Sequence, residues 1–367
     1  MLFLVILCFV CSCFVTALLV RFGAENARRY GLGVPQRFHF GHVPRLGGAA
    51  MLAGCSLGWF WMALSGPLGL SNQIRIGGRM AIAIWLVTAI PAAGGILEDL
   101  TQRLGPRLRL LLTALAAVIA VSVLGLGVTR LGLRGVDDFW LAHPWLGMAL
   151  AIFAIGGLPH AFNLIDGYNG LAGAVAVICC LALAYVSLQV GDRQLAAIVL
   201  ALAGATAGFL VWNYPRGLIF AGDGGAYLWG VVIAMACVLL VQRHPQVSPW
   251  FPALLLIYPV WETVFSIWRK AIRGVSPGVA DALHFHQLIY RRIVRGVFSD
   301  DESRRMLMRN NRTSPYLWGF TLLTVVPAVL FWNSTFILMG FVLLFVVSYV
   351  YAYRSIVRFR VPRWLRR

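Results

Sequence analysis

Asn163-Leu-Ile-Asp-Gly-Tyr-Asn-Gly-Leu-Ala-Gly173 interrupts two long apolar runs and sets Asn163, Asp166 and Asn169 within seven residues. Gly167, Gly170 and Gly173 let the backbone turn tightly or come close to a ligand. The flanking runs are each long enough to cross a membrane, which takes about 20 mostly apolar residues. A polar turn between two spans has two readings. It caps a helix start, as Asp and Asn commonly do. Or it marks a functional site, because an ionisable group at the edge of a span is costly. Further clusters of acids and histidines at the same depth favour the second.

The chain around this turn is 367 residues long, 60% hydrophobic and 12% charged. A soluble domain carries roughly 25% charged residues. The fold class is therefore all-α: a single multi-pass membrane domain over residues 1–367, with no room for a large soluble one. The net charge of +18 needs no nucleic acid to explain it. Arginines in cytoplasmic loops orient spans and meet anionic lipid. The seven cysteines lie in apolar runs and read as packing residues. The apolar start of the chain has no basic leader and reads as a retained first span.

Hydropathy predicts about eleven transmembrane helices, near 1–20, 46–66, 80–97, 110–126, 145–163, 170–189, 195–213, 224–242, 250–268, 316–333 and 335–353. An odd number puts the termini on opposite sides. Segments 21–45, 98–109, 164–169, 214–223, 269–315 and the tail from 354 carry 25 of the 31 Lys and Arg residues. That bias makes these segments cytoplasmic, with the N-terminus outside and the C-terminus inside.

The polar motifs fall on the same side. They are His39-Phe-Gly-His-Val-Pro-Arg-Leu-Gly-Gly48, Glu98-Asp99, the central turn, Asn213-Tyr-Pro with Phe220-Ala-Gly-Asp-Gly-Gly225, and Asp281-Ala-Leu-His-Phe-His-Gln287. On the other side, Asp137, Asp138 and Asp192 read as solvated loop residues. A cleft gathering Glu98, Asp99, Asp166 and Asp223 below His284 and His286 suits a hard cation. Mg2+ takes one or two carboxylates and completes its shell with water and phosphate oxygens. Zinc fits less well, since no cysteine is near and the histidines form a single His-x-His. Gly-Asp at a helix start is also a common cap. Arg45, Arg273, Arg291, Arg292 and Arg295 suit an anionic substrate, although positive-inside bias explains most of them.

Together and in this order, the motifs resemble the polyprenyl-phosphate N-acetylhexosamine-1-phosphate transferase family over about residues 39 to 292. His39 with Pro44–Gly48 resembles its first-loop motif, and Glu98-Asp99 its aspartate pair. Asn163–Gly170 is similar to its NxxDGxDG motif, Asn213 to the asparagine ahead of FxGDxG, and Asp281–His286 to its DxxHxHH loop. Three positions depart from the pattern: Glu98 replaces an aspartate, Asn169 an aspartate and Gln287 a histidine. Glu262 stands where some members have an aspartate, and the resemblance assigns it no role.

The resemblance implies an enzyme that transfers a sugar-1-phosphate from a UDP-sugar to polyprenyl phosphate and releases UMP. HexNAc-1-phosphate is the default group, used to start an envelope glycan such as O-antigen or capsule. It implies Mg2+, with Mn2+ as the alternative ion, held by Asp223. Glu98 and Asp99 would handle the lipid phosphate, and Asp166 would order the site. His39, Arg45 and Asn163 join the substrate-binding set. Asn169 and Asn213 would help bind the nucleotide, Phe220 would stack on uracil, and His284 and His286 would contact phosphate or sugar. The implied setting is the bacterial inner membrane with a cytoplasm-facing site, and a homodimer is left open. The alternative from another class is a transporter or lipid flippase using intramembrane acids. Its signature, inverted repeats with charges at the midplane, is not seen in the sequence.

Overall fold

The computed structural model describes residues 1–23, 43–65, 74–274, 283–294 and 301–358, and these form fourteen helices. In chain order they are α1 (Leu2–Phe22), α2 (Gly47–Leu64), α3 (Gly78–Thr101), α4 (Pro106–Leu124), α5 (Val136–Ala142), α6 (Pro144–Ile165) and α7 (Leu171–Gln189). There follow α8 (Arg193–Asn213), α9 (Gly222–Arg243), α10 (Trp250–Leu255), α11 (Ile257–Ile272), α12 (Phe285–Arg292), α13 (Glu302–Leu330) and α14 (Thr335–Val357). His39 and Asp281 lie outside the described residues.

A helix that is apolar all round belongs in the middle of a bundle. Residues 222–241 of α9 are apolar beyond their first turn, and its most hydrophobic 18-residue window is wholly buried. Helices α3 and α6 line it most extensively, and α2, α7 and α8 complete the surround. Helix α1 packs along α8 and α2 in the manner of a membrane helix. Its inward face is Leu4, Cys8, Ser12 and Thr16, while Phe3, Ile6, Val10 and Phe14 point out. Small residues let helices in lipid approach closely: Gly54 and Gly58 of α2 lie against Cys8 and its neighbours Leu4 and Ser12, and Gly204 and Gly208 of α8 against the backbone of Val5 and Phe9. Cys8 and Cys11 have the spacing of a redox pair, yet all seven cysteines are free and five are buried.

Among the described residues, ten helices are long and apolar enough to cross a membrane, one fewer than the eleven spans expected. The difference is the segment expected at 250–268, which is broken into α10 and α11 at Leu256. Pro259 explains the break. It has no N–H to give to the carbonyl of Leu255, and its ring would clash with that carbonyl in a continuous helix. In the first turn of a new helix the same proline is tolerated.

Two loops are also shorter than expected. Helix α3 runs on to Thr101 and α4 begins at Pro106, leaving only 102–105 between them. Helix α13 starts at Glu302 and not near 316, so the last part of the 269–315 segment is helical and reaches the central turn. On the opposite end of the bundle, Asp137 and Asp192 are more than solvated residues. Asp137 accepts from the N–H groups of Leu131 (2.6 Å) and Leu133 (3.1 Å). Asp192 caps α8 through the N–H of Leu195 (2.9 Å) and meets Arg243 at 3.3 Å. The short helix α5, starting beside Asp137, was not anticipated from the sequence.

Candidate active site

The site forms where the starts of α2, α4, α7 and α9 meet the ends of α3, α6 and α8. The Phe220–Gly225 segment enters α9 at Gly222, whose φ is +71°. A Cβ at that position would run into the carboxylate of Asp99 and the carbonyl of Arg45, so only glycine fits. Asp99, in the last turn of α3, is buried. Its Oδ1 accepts from the N–H of Asp223 (3.1 Å) and its Oδ2 from the N–H of Gly224 (3.0 Å). A carboxylate there satisfies orphan N–H groups and complements the helix dipole. Gly95, one turn earlier in α3, lets that helix touch the backbone of Asp223 and Gly224.

The first-loop motif closes another side. The N–H of Phe220 donates to Pro44 (2.9 Å), and those of Gly47 and Gly48 donate to Phe220 and Ala221 (both 2.9 Å). Arg45 and Phe220 are thereby fixed at the rim, each half-buried.

This framework aims Asp223 at three donors. Its Oδ1 accepts from the Asn163 amide at 2.7 Å. Its Oδ2 is paired with the Arg109 guanidinium of α4 and accepts from the Tyr227 hydroxyl at 3.3 Å. Asp166 sits half-buried just past the end of α6. Burial pushes its carboxyl up to about 7, with Arg45 pulling the other way and the Asp223 charge adding to the rise. Asp99, Asn163 and Arg109 are thus joined to Asp223 and its helix start, and Asp166 lies within electrostatic reach of Arg45 and Asp223. Glu98 lies beside this group: its Oε2 accepts from the N–H of Leu104 at 2.7 Å and holds the turn into α4, and its charge acts on Arg109.

Among the described residues, no three His, Cys, Asp or Glu side chains converge as a metal cage. A hard cation such as Mg2+ asks for less, one or two carboxylates with water and phosphate oxygens beside them. Asp223, with the Asp166 carboxyl and the Asn163 amide oxygen near it, fits that demand. At present the positive charge beside Asp223 is that of Arg109.

The two asparagines expected to meet a nucleotide are engaged in the scaffold. Asn213 accepts from the N–H of Gly170 (2.6 Å) and donates to the carbonyl of Ile219 (2.8 Å), tying the central turn to the approach to α9. Asn169 is buried against α13. Its N–H donates to Asn310 (2.8 Å), its amide donates to Asn311 (3.0 Å), and its carbonyl accepts from Ser314 (2.6 Å). Trp318 adds a bond to the carbonyl of Gly170 at 3.0 Å. The Asn169 Oδ1 is buried without a partner. An amide suits a position whose neighbours are amides, so the absence of an acid here is matched by α13.

His284 and His286 sit at the start of α12 with their rings stacked at 5.4 Å. His286 meets Tyr168 of the central turn edge-on at 5.6 Å. Burial pushes the His286 imidazole down to about 3, so the ring is uncharged at neutral pH. The Oε1 of Gln287 accepts from the N–H of His284 at 3.3 Å, a helix-start role that a histidine side chain would fill less directly.

Sequence reasoning passed over Arg109, Tyr227, Asn310, Asn311 and Ser314. Arg109 was hidden among loop arginines, and helical spacing places Tyr227 one turn after Asp223. Nothing in the polar stretch near Asn310 signals a contact with a turn some 140 positions away.

The comparisons with known proteins agree with the motifs. Residues 81–241 match the model of glycosyl transferase family 4. A Bacillus subtilis protein named probable undecaprenyl-phosphate N-acetylglucosaminyl 1-phosphate transferase is 28% identical over 68% of this chain and 66% of its own length. A Thermotoga maritima undecaprenyl-phosphate alpha-N-acetylglucosaminyl 1-phosphate transferase is 29% identical over 54% of this chain and 58% of its own. A Haemophilus influenzae protein with that same name is 26% identical over 90% of this chain and 87% of its own. The match to the first two thus spans less than two thirds of their length.

Proposed function

We propose that this chain, whose residues 81–241 match the model of glycosyl transferase family 4, transfers a sugar-1-phosphate from a UDP-sugar to polyprenyl phosphate. UMP leaves and a polyprenyl-diphosphate-linked sugar stays in the membrane. HexNAc-1-phosphate is the expected group, and the start of an envelope glycan at the cytoplasmic face of the bacterial inner membrane the expected setting. The observation that carries the reading is the Asp223 carboxylate, held at the start of α9 by Asp99 and met by Asn163 and Arg109.

Phosphoryl transfer leaves a protein little covalent work; positioning and charge compensation dominate. One oxygen of the lipid phosphate forms a bond to the sugar-side phosphorus, and the bond from that phosphorus to UMP breaks. A phosphate monoester has its second pKa near ~6, so the nucleophile is largely dianionic at neutral pH without a base. The engagement of both Asp99 oxygens by backbone N–H groups supports the same view. Arg45 and Arg109 are the cations placed to meet diphosphate oxygens. Mg2+ would be held by Asp223 with Asp166 near it, and when bound would supply charge neutralisation to the diphosphate. His284 and His286 close the pocket from the α12 side.

The test is release of UMP by the purified protein in detergent with undecaprenyl phosphate and a panel of UDP-N-acetylhexosamines, with and without a chelator. The expected result is UMP together with a lipid-linked sugar phosphate, lost on chelation and restored by Mg2+. Lipid movement across vesicles with no UMP from any donor would overturn the reading in favour of a flippase.

A further inference from the structure

Helix α11 carries two ionic side chains on its buried face, Glu262 and Arg269, seven residues apart. They grip consecutive parts of one loop. Arg269 donates to the carbonyl of Leu283 (2.7 Å) and to the hydroxyl of Tyr353 (2.7 Å). Glu262, 1% exposed, takes the next two residues. Its Oε1 accepts from the Nδ1 of His284 at 3.2 Å and from the N–H of Phe285 at 3.0 Å. Its Oε2 accepts from the hydroxyl of Tyr349, on α14, at 2.6 Å.

A buried carboxylate is costly unless hydrogen-bonded, and here it collects a backbone N–H, a phenol and an imidazole. Two groups compete for the ring: the backbone N–H of Gln287 faces the His284 side chain in a capping box, which asks it to accept, while the Glu262 carboxylate asks Nδ1 to carry the proton and donate; an ionised carboxylate is the stronger partner. That choice leaves Nε2 as the ring atom available to a ligand. The ring is held in its plane by Glu262 and on its face by His286, whose ring lies 6° from parallel. His286 in turn abuts Tyr168. The His284 ring is therefore set in direction, and a carboxylate behind an imidazole is a general means of setting its tautomer as well.

We propose that Glu262 is the positioning residue of His284, fixing its Nδ1–H tautomer so that Nε2 is presented to the phosphate or sugar of the substrate. This rests on the transferase reading above for what His284 meets, but not for the tautomer itself.

Two measurements test it. The first is transfer kinetics of Glu262→Gln, His284→Asn and the double variant. Glu262→Gln is expected to lower kcat on the order of 10- to 100-fold, with the KM for UDP-sugar changed by less than about threefold. The double variant is expected to fall no more than about threefold below His284→Asn alone, since residues that act through one another are non-additive. Losses that multiply, or a Glu262→Gln enzyme with parental kcat, would overturn the proposal. Tyr349→Phe removes the bond to Oε2 and leaves the His284 contact in place. It is expected to stay within about threefold of the parent, and a loss equal to that of Glu262→Gln would mark Glu262 as a packing brace.

The second is the 15N spectrum of histidine-labelled parent protein in detergent without substrate, the His284 signal being assigned with His284→Asn. An Nδ1–H tautomer is expected, and an Nε2–H tautomer overturns the proposal even if Glu262→Gln fails to fold. A parent that releases no UMP would sink the function while the spectrum still decides the tautomer.

Discussion

The two sides of the pocket handle buried charge in opposite ways. On the α9 side, Asp223 is balanced by a full guanidinium and buried Asp99 by the start of a helix, and the Asp223–Arg109 pair is partly exposed. On the α11–α12 side, Glu262 is enclosed and is balanced by hydrogen bonds to a histidine, a tyrosine and one backbone N–H. The first arrangement pairs its charge with a side chain that is itself partly exposed. The second has no such exposure and serves to hold a ring still. The difference also follows the family match, since Asp99, Arg109, Asn163 and Asp223 lie within residues 81–241 and Glu262, His284 and Tyr349 lie beyond it.

The largest effect that could break this contrast is at Asp223. Asp223→Asn should lower turnover on the order of 10³-fold or more, while the protein still inserts and elutes as the parent does. Mg2+-dependent UMP release near the parental rate would show that the metal-binding charge lies elsewhere.

Next comes the adjacent pair in α3. Asp99→Asn sets an amide N–H against one of two helix-start N–H groups, so unfolding should become easier by about 1.5–3 kcal/mol. The displaced α9 start should cost turnover on the order of 10²-fold. Glu98→Gln keeps an oxygen for the N–H of Leu104 and should stay within about tenfold of the parent, as expected of a contact worth at most about 1 kcal/mol. Kinetics and thermal midpoints of both variants decide. A Glu98→Gln enzyme as damaged as Asp99→Asn would return Glu98 to the chemistry.

The smallest effect concerns His286. Its folded-state value of about 3 lies below the ordinary 6.5. As pH falls below 6.5 the unfolded chain takes a proton that the folded one refuses, so this group removes stability in acid. The slope is at most about 1.4 kcal/mol per pH unit. Thermal midpoints between about pH 7 and about pH 5 should fall less steeply for His286→Gln than for the parent. Equal slopes would mean that His286 is not held neutral.

Much of this was legible in the chain. Apolar runs of span length are a direct record of the bilayer, and ten of the eleven expected crossings are single helices. The exception turned on Pro259, whose effect depends on which turn of a helix it occupies. The motifs around Asp99, Asn163, Asp166, Asn213 and Asp223 could be picked out because glycines and acids stand out against apolar flanks, and the structure brings them to one end of the bundle. What each side chain does there was less legible. Asp99 and Glu98 are neighbours in sequence, yet helical geometry turns one to α9 and the other to the α4 turn. Asn169 read as a lost charge until α13 brought Asn310 and Asn311 to it. Glu262 could not be read at all, since its partners are 22, 23 and 87 positions away and no local pattern announces them.

Helix α1 carries a last consequence. Its outward residues decide whether it enters the bilayer, and its inward row of Cys8, Ser12 and Thr16 decides whether it docks. Entry rewards greasiness; docking rewards smallness. A leucine in place of Ser12, which lies against Gly54, would make the helix a better solute in lipid and a worse neighbour to α2. Two successive events in the biogenesis of this protein are thus written on opposite faces of one helix, and a hydropathy scale reads only the first.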